Sequence, residues 1–126
     1  MKHHRLLFPL LTAALIGAST LTGCAPTALM PGAERVRLTQ EEPKGCEYLG
    51  EVIGDQGGSL SGPLTSNANL ERGALNDLKN RAFQMGGTVV YLIANRAGQT
   101  ASINRDGGSS QQTNVVYIGA VYRCRE

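Results

Sequence analysis

The spacing of apolar residues along this chain changes several times, and each change marks an element. Leu6 to Ile16 is a mostly apolar run, interrupted at Pro9, behind the basic residues Lys2 and Arg5. Ala25 to Gly45 has no sustained period and contains three prolines, Pro26, Pro31 and Pro43. Within it only Glu34-Arg35-Val36-Arg37-Leu38-Thr39 alternates polar and apolar residues, the pattern of a short edge strand. Cys46 to Ile53 reads as a strand ended by Gly54-Asp55, followed by a Gly/Ser-rich loop through Ser66. From Ala68 to Met85, residues Leu70, Ala74, Leu78, Ala82 and Met85 recur every three or four positions, with Leu75 and Phe83 widening the stripe, which predicts an amphipathic helix. Asn67 or Asn69 suits its N-terminal cap, Asp77 and Arg81 are spaced for an i,i+4 pair, and Gly86-Gly87 stops it. Gly73 inside the helix implies close approach to a sheet. Two further strands follow, Thr88–Ala94 and Val115–Cys124, rich in β-branched and aromatic residues.

Asn95 to Asn114, between those last strands, is polar, with repeated Ser, Gln and Thr. A loop this long is uncommon within a small domain. Its plain reading is a solvated loop; the alternative is that it prolongs the arms of a hairpin.

The leader changes how the rest is read. The apolar run is too short for a transmembrane helix, which needs about 20 residues, and its order is that of a secretory signal. It runs into Leu21-Thr22-Gly23-Cys24, which resembles the lipobox of bacterial lipoprotein precursors. The resemblance implies a signal peptide over residues 1–23 and a mature chain that starts at Cys24. That residue would carry a diacylglyceryl thioether and an N-acyl chain, an anchor far stronger than one acyl group. Ala25 after the cysteine favours the outer membrane by the sorting rule of enteric lipoproteins. Residues 24–45 are then expected to be a flexible tether spanning about 25 Å as coil. Residues 46–126 form a small periplasmic domain.

Removing Lys2 and Arg5 from the 12 basic residues leaves them equal in number to the 10 acidic ones. The mature chain is neutral, so nothing favours nucleic acid as a partner. The two histidines, His3 and His4, leave as well. Histidine-based nucleophilic triads go with them, and zinc would find a poor ligand set. No cofactor, metal site or small-molecule substrate is expected.

Acylation of Cys24 takes one of three cysteines. Cys46 and Cys124 remain, in an oxidising compartment. Their spacing is unlike a Cys-x-x-Cys redox pair, so a structural bridge is expected. Cys46 opens the first predicted strand and Cys124 closes the third, and bridged Cα atoms lie within about 7 Å. Those strands therefore run antiparallel as neighbours. The fold class is α+β, in the order β-α-β-β, with one helix on a small mixed sheet of strand order 2-3-1. On the last strand Val116, Ile118, Ala120, Tyr122 and Cys124 share a face; on the first, strict alternation groups Cys46, Tyr48 and Val52. Closing a loop of about 80 residues contributes about 4.5 kcal/mol on the chain-entropy estimate, which matters in so small a domain.

Three stretches carry a family resemblance: Cys46 to Val52, Leu70 to Ala82, and Gly86-Gly87-Thr88-Val89-Val90. Together they resemble the small YjeI-like lipoprotein family of unknown function. More distantly they are similar to RcsF, the outer-membrane lipoprotein that reports envelope damage to the Rcs phosphorelay. The more distant likeness implies a disulfide-stapled α/β sheet that contacts outer-membrane barrel proteins and an inner-membrane regulator. Only one disulfide is possible here, against two in that sensor, and its proline-rich basic tether is much reduced.

These features favour a non-enzymatic envelope lipoprotein that binds another envelope protein, in stress sensing or envelope maintenance. One helix covers one sheet face, so Tyr91, Tyr117 or Tyr122 on the other is the expected partner surface, unless the tether or a second copy closes it. A structural, peptidoglycan-associated role is the alternative. An enzyme is the least supported: Gly54-Asp55-Gln56-Gly57-Gly58 suggests a phosphate loop but lacks the Gly-Lys-Ser/Thr ending, and Glu51 and Asp55 would be its nearest acid-base candidates.

Overall fold

Residues 24–125 are described by the computed structural model; the leader expected over residues 1–23 lies outside the described residues. Helix α1 spans Asn67–Gln84. Its N-cap is Ser66, one residue before Asn67 and three before Asn69, the two expected caps: the Ser66 hydroxyl accepts the Asn69 amide at 3.2 Å. The C-terminus ends as Gly86-Gly87 foretells. Gly86 takes a φ of 80°, its amide bonds the Phe83 carbonyl, and the Gly87 amide bonds that of Ala82, the paired closure of a Schellman turn. Leu70, Ala74, Leu78 and Ala82 form the buried stripe. Phe83 is left exposed at the rim.

The helix packs on a sheet of order β1-β3-β4-β2, with β1 Arg37–Thr39, β2 Glu47–Gly57, β3 Val89–Asn104 and β4 Gly107–Arg123. The order expected for the last three strands holds: β4 lies antiparallel between β3 and β2. The alternating stretch before Cys46 supplies β1, which pairs parallel to β3 at its outer edge. The Cys46–Cys124 disulfide closes the end of the β2–β4 pair, with Cα atoms 4.5 Å apart.

Gly54 does not end the first long strand; β2 runs through it to Gly57. A methyl group at Gly54 would run into the Ala74 carbonyl and the Leu78 amide, so the helix backbone lies directly on the strand. Gly73 answers from the helix side, where a side chain would collide with Gln56. Beyond the strand's outer edge, the Asp55 amide donates to Asp77 Oδ2 at 3.0 Å. Asp77 also pairs with Arg81 at 3.0 Å, as the i,i+4 spacing foretells.

The face under the helix holds Val52, Val90 and Val121 against Leu78 and Ala82, with Val36 completing the cluster. A second cluster joins Leu70 and Ala74 to Val115. The opposite face holds a smaller one, Val89, Ala120 and Tyr122, next to both bridged cysteines. Val52 therefore does not share a face with Tyr48, as strict alternation predicts. The β2–β4 register slips between Tyr48 and Gly50; one extra residue in a strand is a bulge, and it turns every later side chain over.

Two further expectations are corrected. Asn95–Asn114 is not a loop: β3 and β4 continue as a hairpin, Asn104 pairing with Gly107 across Arg105-Asp106. The stretch is polar and has no apolar period, and among its described side chains Thr113 is buried. Residues 24–45 are not a free coil. Cys24–Met30 lies along the helix, Ala33–Arg35 makes a 3₁₀ turn, β1 joins the sheet, and Gln40–Gly45 crosses to β2 at the far edge. Val36 is 2 % exposed, so this segment contributes to the core.

Replacing both Cys46 and Cys124 by alanine is expected to cost about 2–5 kcal/mol in chemical denaturation, with the sheet order unchanged. Gly54→Ala is expected to cost about 3 kcal/mol, the upper end for overpacking, because the obstruction is backbone; a stability equal to that of the native chain would contradict the packing described.

Candidate partner-binding face

Side chains on the uncovered sheet face follow from the register. Tyr91 pairs with Ala120, and Val89 with Tyr122. Ile53 pairs with Ile118, which pairs on its other side with Ala94. The connection from β1 to β2 crosses one end of this face. There Glu42 accepts the Tyr122 hydroxyl at 2.5 Å, and Tyr48 meets the Tyr122 ring edge-on with centroids 5.5 Å apart. The other end has no such cover: Ile53 is 50 % exposed, and Val116, Ile118 and Ala94 are half-buried.

Of the expected partner residues, Tyr91 and Tyr122 share this face. Tyr122 is nearly buried and serves as its floor, while Tyr91 is half-buried beside it. Tyr117 is not on the face. It packs with the clusters under the helix and donates its hydroxyl to Glu71 at 2.5 Å. The parity of β4 separates the tyrosines: Val115, Tyr117 and Val121 turn toward the helix, Ala120 and Tyr122 away from it. Ile53 and Ile118 are the residues that sequence reasoning missed. The strand order 2-3-1, together with a bulge near Gly50, would have put them opposite each other.

Burial and then the Glu71 hydrogen bond push the Tyr117 phenol up to about 12. For Tyr122 the hydrogen bond to Glu42 leads, followed by desolvation, and the phenol again reaches about 12. Both tyrosines are hydrogen-bond donors to a carboxylate, Tyr117 to Glu71 and Tyr122 to Glu42.

Gly54–Gly58 forms no cradle for phosphate. The first four residues lie in the β2 ladder, the Asp55 amide is held by Asp77, and the Gly58 amide is held by the Thr113 carbonyl at 2.9 Å. Glu51 and Asp55 are both exposed, and Asp55 lies 3.6 Å from Arg81. Among the described residues, no three His, Cys, Asp or Glu side chains are grouped to hold a metal. A groove of about 440 Å³ lies beside β1, lined by Leu38, Leu75, Leu92, Ile93 and Tyr117. Gln40 and Asn95 also line it, so its polar groups are two side-chain amides and one phenol.

On the helix side, Cys24–Met30 is laid down as a strap. The Thr27 amide and hydroxyl donate to Gln56 Oε1 at 2.9 and 2.7 Å. Asn76 donates to the Thr27 carbonyl at 2.7 Å and Asn80 to that of Ala28 at 2.9 Å. Asn80 also accepts the Met30 amide at 2.8 Å. A side-chain amide can bond a backbone carbonyl and a backbone N–H together; Asn80, 8 % exposed, does so. These asparagines read from sequence only as polar helix positions. Cys24, half-buried and unbridged, begins the strap. Among the described residues, no helix is long and apolar enough to cross a membrane.

Residues 27–124 match the family described as a domain of unknown function, DUF4156. The chain is 35 % identical over 115 residues to the uncharacterized protein YjeI of Escherichia coli strain K12, covering 89 % of this chain and 93 % of that one. The same identity and coverage relate it to the protein of that name in Shigella flexneri.

Spectrophotometric titration is expected to show Tyr117 and Tyr122 ionising near pH 12, and Tyr122→Phe to remove one late-titrating phenol. A phenol whose pKa is raised by folding supports stability in full below about pH 10, and that support is lost as pH rises toward 12. Denaturation at about pH 9 and about pH 11.5 should therefore differ less in Tyr122→Phe than in the native chain.

Proposed function

The chain belongs to the DUF4156 family, and we propose that it is a non-enzymatic lipoprotein, acylated at Cys24, that binds another envelope protein through its open sheet face. The lipobox at Leu21–Cys24 supports the anchor, and Ala25 after it supports delivery to the outer membrane with the domain in the periplasm. The observation that carries the binding reading is the unfinished face. Ile53 stands 50 % exposed over Ile118, on a sheet whose other face is closed by a helix. Exposed Glu51 and Asp55, paired with Ala120 and Val116, flank Ile53 on the same strand, and an apolar centre between polar neighbours is the composition of a protein interface.

From the distant sequence resemblance to the Rcs envelope-stress sensor we carry over a role in reporting envelope state. The clamped strap favours a local version of that role: a chain held at Thr27 meets partners near its own membrane, without the long lead that a cross-envelope contact needs.

A photo-crosslinking amino acid at Ile53 in intact cells is expected to trap a discrete envelope protein. The control at Asp106, on the hairpin tip, should not trap it, and Ile118→Lys added to the Ile53 probe should abolish the adduct. Absence of any adduct from Ile53 would refute the binding reading.

A further inference from the structure

We propose that the outer face of α1, with the strap laid on it, rests on the phospholipid surface, so that the open sheet face is turned away from the bilayer. This orientation rests on the acylation of Cys24 proposed above. Three peptide steps separate Cys24 from Thr27, whose amide and hydroxyl are fixed to Gln56. Three residues reach at most about 10 Å. An acyl anchor at Cys24 therefore draws the strap and the helix to within one residue layer of the headgroups.

The chemistry of that side suits a lipid surface. Exposed apolar side chains gather there: Leu29 and Met30 on the strap and Phe83 on the helix, at 38 %, 37 % and 40 % exposure. Positions 72, 76, 79 and 83 recur at three- and four-residue steps along one side of a helix, the side on which Asn76 holds the strap. Arg72 and Lys79 thus flank the apolar residues with positive charge, as anionic headgroups require. The opposite side of the domain is the sheet face with Ile53.

The protein contains no tryptophan, so a single introduced one reports its own surroundings. Full-length chains carrying Leu29→Trp, Met30→Trp or Ile53→Trp are expressed, processed, purified from membranes and placed in phosphatidylethanolamine–phosphatidylglycerol vesicles with brominated acyl chains. The expected result is a blue shift and bromine quenching at positions 29 and 30, with neither at 53. Quenching at 53 equal to that at 29 and 30, or at none of the three, would overturn the orientation. The mass of the purified chain separates this from the anchor itself. A chain without its acyl mass refutes acylation; joining Cys24 to a maleimide-bearing phospholipid then supplies the anchor, and the tryptophan readout decides the orientation on its own.

Discussion

Everything in this domain is arranged around the approach of one helix to one glycine. With no side chain at Gly54, the backbone of α1 at Ala74 and Leu78 lies directly on β2. That contact fixes which helix side faces inward, and Leu70, Ala74, Leu78 and Ala82 follow from it by helical spacing. It also sets the depth of the layer. Small residues at two of the four stripe positions let the helix lie close enough for valines on β3 and β4 to fill the remaining space. Burial of this kind stabilises by roughly 25 cal/mol per Å² of apolar surface, and a domain of this size depends on using its few large side chains without gaps.

The two layers produce two unequal surfaces. The helix side is finished by the strap, whose backbone polar groups are satisfied by Gln56, Asn76 and Asn80. The sheet side is finished only at the disulfide end, where the Gln40–Gly45 crossing brings Glu42 onto Tyr122. Residues 24–126 carry basic and acidic side chains in equal number and no histidine, and the domain they form has one face closed and one half-open. The functional reading follows from that asymmetry more than from any single side chain.

Much of this was legible in the sequence, for identifiable reasons. The helix stripe, its glycine stop and the pairing of Cys46 with Cys124 depend on local spacing and on arithmetic among three cysteines, and the strand order followed from the bridge. What escaped was non-local or irregular. The bulge beside Gly50 has no apolar signature, and it moved Val52 to the opposite face from Tyr48. Tyr117 went to the helix side because of strand parity, which no composition argument tracks. The arm from Asn95 to Asn114 is paired but polar throughout most of its length, so the apolar periodicity that reveals strands was absent. The segment before Cys46 looked like coil because its partners are distant side-chain amides, and prolines at Pro26, Pro31 and Pro43 are compatible with an extended strap as well as with disorder. Within the candidate site, the tyrosines drew notice by size, whereas the exposed centre proved to be an isoleucine pair.

The strap also makes the length of the N-terminal lead a property of the folded state. Its fastening points lie 29, 49 and 52 residues further along the chain, and β1 cannot pair until β3 exists. A chain that emerges N-terminus first must therefore complete the helix and most of the sheet before its first residues are seized. Until then whatever is attached at Cys24 hangs on dozens of loose residues; afterwards it hangs on three. Folding reels that residue in, and the distance between Cys24 and the domain records whether folding has finished.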